Sequence, residues 1–231
     1  ILADSPAPHA VMPTSLIGGF KHHFGILFTV FSTLFSTFSI WSLRIFKTAS
    51  LEPGFGPHEV IVKIIKPKNR YIHVGCGYHK FENFDNLDFY NSSFSFWKKR
   101  NYISHDFTRR LPFEDNVYDG AFCEHTIEHL YFNDSKFLIS EICRVLKKSS
   151  IFRCTVPGLD LYIENYKEKK TDEYFSTFDT GCDAIRDLTS NWGHLCVWDK
   201  ETLKRELLNA GFSSVKVCEF GHGENQELVL S

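Results

Sequence analysis

Tyr71-Ile72-His73-Val74-Gly75-Cys76-Gly77 is a short apolar run closed by two glycines one residue apart, and it decides the fold. Aromatic and β-branched residues over four positions predict a strand. Glycines directly after a strand let the backbone pass close to a ligand with no Cβ in the way. The pattern repeats downstream. Ile103-Ser104-His105 reads as a strand ending at Asp106, and Tyr118 to Cys123 as another. Ser135 to Lys148 reads as a helix with Leu138, Ile142, Val145 and Leu146 on one stripe and Asp134 or Ser135 as its cap. Ile151 to Val156 is a strand stopped by Pro157-Gly158. Lys200 to Asn209 is a helix stopped at Gly211, and Val215–Cys218 and Leu228–Leu230 read as closing strands. Strands alternating with helices argue for an α/β domain with a mostly parallel sheet. Ligands in such sheets sit beyond the C-terminal strand ends, so Gly75, Asp88, Asp106 and Glu124 are the candidate site positions.

Composition narrows the function classes. The chain has 231 residues, 43% hydrophobic and 23% charged, which excludes a disordered chain, a collagen-like repeat and a multi-span membrane protein. Lys and Arg total 26 against 28 Asp and Glu, so there is no global basic footprint and no nucleic-acid partner is expected. The seven cysteines are odd in number and contain no C-x-x-C pair. That argues against a disulfide framework and a thiolate zinc site, and for a reducing, cytoplasmic location. Ile1 in place of a starting Met reads as a fragment or a processed product.

The first fifty-seven residues read differently. Phe24 to Leu43 carries no charge over about the ~20 residues of a membrane-spanning helix. Phe24, Phe28, Phe31, Phe35 and Phe38 recur at helical spacing, with Ser32, Ser36 and Ser39 towards the other side. A hydrophobic helix over about 24–46 is expected, with two uses open: packing on the domain or in self-association, or attachment to a membrane. Glu52-Pro53-Gly54-Phe55-Gly56-Pro57 is a punctuated linker, which divides the chain into an extension (1–57) and a main domain (58–231).

Asp88 follows the glycine loop at the end of Phe84-Asp85-Asn86-Leu87. A carboxylate there can accept two hydrogen bonds from a ribose diol, although loop acids and strand-ending glycine pairs also occur as plain turns. The short interval leaves little room for the full helix of a dinucleotide fold. A single nucleoside-type ligand fits better.

At this point the chain resembles a known family. His73-Val-Gly-Cys-Gly77, Asn86-Leu-Asp88, His105-Asp106, Leu111-Pro-Phe-Glu-Asp-Asn-Val-Tyr-Asp-Gly120, Glu128-His129 and Arg144-Val-Leu-Lys147 stand in the order seen in class I S-adenosylmethionine-dependent methyltransferases of the small type-11-like group. Asn191-Trp-Gly-His194 and Ala210-Gly-Phe212 are similar to that family's C-terminal part. The resemblance covers about residues 68–231. It implies a Rossmann-like fold with a seven-stranded, mostly parallel sheet whose last strand is antiparallel. It also implies S-adenosylmethionine as cofactor and S-adenosylhomocysteine as product; no metal is expected. Carried over by position, Gly75, Cys76 and Gly77 would line the methionine moiety and ribose, and Asp88 would hold the ribose hydroxyls. Asp106 would lie by the adenine with Phe107 as a ring contact, and Glu124 and His125 would sit near the sulfonium. Two departures stand out: His79 occupies the place of the third loop glycine, and Ser149-Ser150 replaces the usual Pro-Gly-Gly.

His125-Thr-Ile-Glu128-His129 also fits H-x-x-E-H, in which two His on one helix face share a zinc. A milder alternative is a divalent cation on Glu124, Glu128 and His129, and a third reading has Glu128 and His129 fixing a helix start against the sheet. Methyl transfer is an in-line displacement that needs alignment, plus a base where the acceptor sheds a proton. His129 and His194 are the best base candidates, with His125 beside them. The acceptor, an oxygen or nitrogen on a small molecule, saccharide or lipid-linked compound, is not readable from the residues. A non-catalytic cofactor-binding or scaffold domain is the competing class.

Overall fold

The computed structural model describes residues 9–13, 63–89, 102–168, 174–218, 222–223 and 225–228. Its strands are β1 (His9–Pro13), β2 (Tyr71–Val74), β3 (Phe84–Asp88), β4 (Ile103–Ser104), β5 (Tyr118–Glu124), β6 (Leu146–Thr155) and β7 (Ser214–Cys218). They form one sheet in the order β4-β3-β2-β5-β6-β1-β7. Every pairing is parallel. The central strands are buried on both faces, as helix-covered parallel strands must be. The helices are α1 (Phe132–Val145), α2 (Leu159–Glu168), α3 (Gly181–Ser190) and α4 (Lys200–Asn209).

The larger core packs the apolar stripe of α1 (Leu138, Ile139, Ile142 and Val145) and Leu203 and Leu207 of α4 against Ile72, Val74, Ala121 and Phe152. Each such Leu, Ile, Val or Phe side chain contributes roughly 1.5–3 kcal/mol by leaving water. The Leu111-Pro112-Phe113 segment is locked to α1 by a polar hub. Glu141 accepts the Leu111 N–H at 2.7 Å, and Arg144 donates to the carbonyls of Leu111 and Phe113 and to Glu141. The opposite face is covered by a smaller aromatic cluster of Tyr71, Phe84, Phe122 and Leu228.

Several expectations are corrected. The antiparallel last strand is absent among the described residues: β7 pairs in parallel with β1, a strand from the segment before residue 58. Leu228 lies in a 3-10 turn, Gln226–Leu228, whose bonds are local: Asn225 accepts the N–H groups of Leu228 and Glu227. Residues 229–231 lie outside the described ones, as does the hydrophobic helix expected over 24–46. The cytoplasmic location with membrane association through that helix is corrected too: among the described residues, no helix is long and apolar enough to cross a membrane. Helix α1 starts at Phe132 rather than Ser135, because the Ser135 hydroxyl donates to the Ile127 carbonyl at 2.7 Å and does not cap. Lys147 and Lys148 belong to β6, which follows α1 without a loop.

His73 is 2% exposed on β2, with Nδ1 3.3 Å from Asn86 Oδ1 and its ring stacked on Phe81. Burial pushes the imidazole down to about 4, with the Asn86 contact opposing only in part. The unfolded chain takes up this proton near pH ~6.5. Native stability therefore falls as the pH drops from the unfolded value towards the folded one, and this group has no effect above that window. Denaturant melts at neutral pH and at about pH 4.5 should show wild type losing about 2 kcal/mol more than His73→Gln across the interval. Equal losses would show that His73 does not carry the effect.

Candidate functional site

The sheet register brings the C-terminal strand ends to one level. Val74 pairs with Leu87 on one side and Cys123 on the other, Asp88 with Ser104, and Glu124 with Thr155. The chain leaves β2 in a tight glycine turn. Gly75 and Cys76 both donate their N–H groups to the Leu87 carbonyl at 2.9 Å, which folds the turn over the end of β3. Asp88 ends β3 beneath it. One carboxylate oxygen accepts the Gly77 N–H and the other the Phe89 N–H.

The two glycines do different work. Both hold positive φ, +76° at Gly75 and +49° at Gly77. A Cβ at Gly75 would lie 1.8 Å from Thr126 Oγ1, whereas a Cβ at Gly77 would meet nothing within 4 Å. Gly75 is thus the place where β2 presses against the chain leaving β5, and Gly77 borders open space beside the Asp88 carboxylate. Cys76 is 2% exposed, and burial, with the Asp88 charge adding to it, pushes its thiol up to about 12. It stays protonated and lines the turn; it is no nucleophile.

Asp106 holds its own turn. Oδ1 accepts both the N–H and the hydroxyl of Thr108, and Arg109 lies 3.3 Å from Oδ2. Phe107, expected as a ring contact, is 5% exposed and packed in the larger core. Glu124 ends β5 and is partly exposed.

After β5 the chain makes a three-residue 3-10 turn, Ile127–His129. His125 precedes it at φ +47°, with Nδ1 3.1 Å from Oε1 of Glu128, which is only 1% exposed. Burial disfavours both charges, yet the mutual pairing outweighs it. The His125 imidazole is held above its ordinary range and the Glu128 carboxyl below its own. His129 is shifted down by burial, with the neighbouring Glu128 charge opposing.

His194 arrives from far along the chain, and its placement is built from the backbone. The Glu128 carbonyl accepts the N–H groups of Leu195 and Cys196 at 2.8 and 3.2 Å. Asp187, on α3, accepts from Asn191 Nδ2 at 2.7 Å and Trp192 Nε1 at 3.0 Å, pinning the Asn191–His194 loop. The His129 and His194 rings meet edge to face at 4.9 Å. The structure thus joins His129, His194, Glu128 and His125 in one cluster beyond β5, and Gly75, Cys76, Gly77 and Asp88 in a second beyond β2 and β3. The Thr126–Gly75 contact links the two. Asp187 was not foreseen, since a single helical Asp carries no signal in sequence.

The H-x-x-E-H zinc arrangement is not formed. It needs His125 and His129 one α-helical turn apart, and here a short 3-10 turn with a left-handed residue before it separates them. The Glu124–Glu128–His129 cation set is not gathered either; His194 takes the third place beside Glu128 and His129.

Residues 80–154 match the family model of a methyltransferase domain. The chain resembles the class I S-adenosylmethionine-dependent methyltransferases. No curated protein matches. Among solved structures, a chain of the complex between the Haloferax volcanii Trm112 methyltransferase activator and a protein described as a methyltransferase shares 15% identity. The overlap covers 65% of this chain and 63% of that one, less than two thirds, at a TM-score of 0.40. An S-adenosylmethionine-dependent methyltransferase from Archaeoglobus fulgidus shares 18% identity over 80% and 74% of the two chains, TM-score 0.42. A protein of Bacillus halodurans C-125 described as a methyltransferase shares 18% over 62% and 59%, TM-score 0.35. The cofactor of this family is tested here by the turn itself. The cradle at Gly77, open where a Cβ would stand and flanked by a strand-end carboxylate, suits a ribose and its neighbouring polar chain.

The two glycines should respond differently to alanine. Gly77→Ala should cost about 1 kcal/mol, the conformational penalty of a left-handed alanine. Gly75→Ala should cost at least twice as much, because Thr126 is buried and hydrogen-bonded to the Glu124 carbonyl at 2.9 Å and cannot retreat. Equilibrium denaturation of both variants checks this, and equal losses would contradict it.

Proposed function

We propose that the chain is an S-adenosylmethionine-dependent methyltransferase acting on an oxygen or nitrogen of a small-molecule, saccharide or lipid-linked acceptor. The observation that carries this reading is Asp88 at the end of β3, bonded to the Gly77 N–H of an open glycine turn, within and beside the matched segment. The catalytic unit is taken as residues 58–231, with 1–57 as an extension whose strand β1 joins the sheet.

S-adenosylmethionine, when bound, supplies a methyl group already activated on a sulfonium. The chain's own residues then have three tasks. Gly75, Cys76 and Gly77 admit and align the ligand with their backbone, and Asp88 accepts from ribose hydroxyls. Asp106 and Glu124 border the same strand ends, and Phe107 supports them from the core. On the acceptor side, His129 and His194 offer imidazole nitrogens to an O–H or N–H that must shed its proton, with His125 holding Glu128 in place. A lowered imidazole pKa keeps the His129 ring neutral and able to accept a proton at neutral pH.

Calorimetric titration with S-adenosylhomocysteine tests the reading. Micromolar binding is expected, weakened about tenfold or more in Asp88→Ala and less in Asp88→Asn, which keeps one acceptor oxygen for the Gly77 N–H. Circular dichroism shows that the variants are folded. No binding by a folded wild-type protein would overturn the proposal.

A further inference from the structure

Glu128 is a carboxylate set deep in the fold. It is 1% exposed, and its Oε1 faces His125. Its Oε2 is buried with no hydrogen-bond partner among the described residues. An ionised oxygen without a partner in such a place costs several kcal/mol, and native proteins rarely leave one so. Beside it stand two imidazoles. One ligand atom each from Glu128, His129 and His194 lies within 4.8 Å of the others, and no other such group occurs among the described residues.

The ring of His194 is set up to present a lone pair. Its Nδ1 lies 2.6 Å from the Leu188 carbonyl, which can only accept, so Nδ1 carries the hydrogen and Nε2 is the basic nitrogen. A ring N–H tied to a backbone carbonyl is the support that orients metal-ligating histidines. The loop that brings His194 is fastened by bonds already described, so the cluster is held before any ligand arrives.

We propose that Glu128, His129 and His194 form a binding site for a divalent transition-metal ion of the zinc type. Two imidazoles and one carboxylate suit zinc and its first-row neighbours, whereas magnesium and calcium prefer all-oxygen sets. Metal–ligand bonds of ~2.1 Å would draw the three atoms about an ångström closer, within reach of side-chain rotation. The ion would satisfy Glu128 Oε2 and keep further positions open, on the side of the site assigned to the acceptor. An imidazole bonded to the ion has no lone pair for a proton. The direct base role therefore belongs to the metal-free protein, and metal content decides which task the cluster performs.

The test uses the full chain, stripped with a chelator and titrated with Zn²⁺ by calorimetry and with Co²⁺ by visible absorption. One ion per chain is expected, with affinity reduced about tenfold or more in His194→Ala and in Glu128→Gln, and a Co²⁺ spectrum of nitrogen and oxygen ligation. His194→Ala is the decisive variant, since His194 is partly exposed and its loss leaves Glu128 in place. No binding by the folded wild type, unchanged affinity in His194→Ala, or a thiolate charge-transfer band from the cysteines would overturn the proposal. The S-adenosylhomocysteine titration runs separately. Cofactor binding without metal binding removes only this inference, and metal binding without cofactor binding removes only the methyltransferase reading.

Discussion

The absence of a side chain at Gly75 is the constraint on which the site depends. Strands β2 and β5 are neighbours and end level with one another, so their outgoing chains compete for one space. Thr126 occupies it, standing where the Cβ of residue 75 would be. With its hydroxyl bonded to the Glu124 carbonyl, Thr126 sets the start of the Ile127–His129 turn, and its own carbonyl accepts the His129 N–H at 3.1 Å. On the other side of the same contact, the glycine turn is pressed onto the end of β3, which brings Gly77 to Asp88. One close approach therefore fixes both the nucleoside-type cradle and the histidine cluster.

A second anchor works from the far end of the chain. Trp192 and Gly193 both hold left-handed backbone, φ +53° and +77°. Such a conformation costs of order 1–3 kcal/mol at a non-glycine residue. Asp187 offsets it: a carboxylate nearly buried and accepting from Asn191, Trp192 and Tyr174 gains roughly 1.5–3 kcal/mol per charged bond when the geometry is good. The two N–H groups donated to the Glu128 carbonyl complete the fastening. His194 is thus carried by a loop whose strain is held by polar contacts, which lets a distant segment close the site without a helix or strand of its own there.

The parallel sheet was legible in the sequence because its signals are local. Tyr71–Val74 and Lys200–Asn209 fall where periodicity and stop residues place them. The glycine turn, Asp88, His129 and His194 stood out singly as strand-end positions or as a family pattern, and no spacing joined the two histidines. What was hidden depends on contacts between distant residues. Helices α2 and α3 are short, bury only Tyr162 and the pair Ala184 and Leu188 of their apolar residues, and pack mainly on each other around Phe175. The parallel placement of β7 depends on β1, from the opposite end of the chain. Asp187 and the Thr126–Gly75 contact have no spacing rule that would reveal them. Phe107 had the right address for a ring contact, but the core claimed it.

The pentapeptide His125–His129 shows why a motif speaks only through its backbone. On an α-helix, positions four apart share a face, and the Glu between them would stand aside as a base. Here His125 takes left-handed backbone and the turn tightens to 3-10, so the two histidines part and Glu128 comes between them. One carboxylate oxygen, Oε1, is then paired with the His125 imidazole, while Oε2 is buried without a hydrogen-bond partner among the described residues. Burial alone would expel that charge. The His125 pair holds it ionised, and the cost in unsatisfied polarity falls on a single atom, Oε2, of a carboxylate that has two further imidazoles as neighbours. The same letters that would spell a peptidase helix instead build a half-neutralised buried anion beside two histidines, an arrangement set by one residue's φ angle and by a loop from far downstream in the chain.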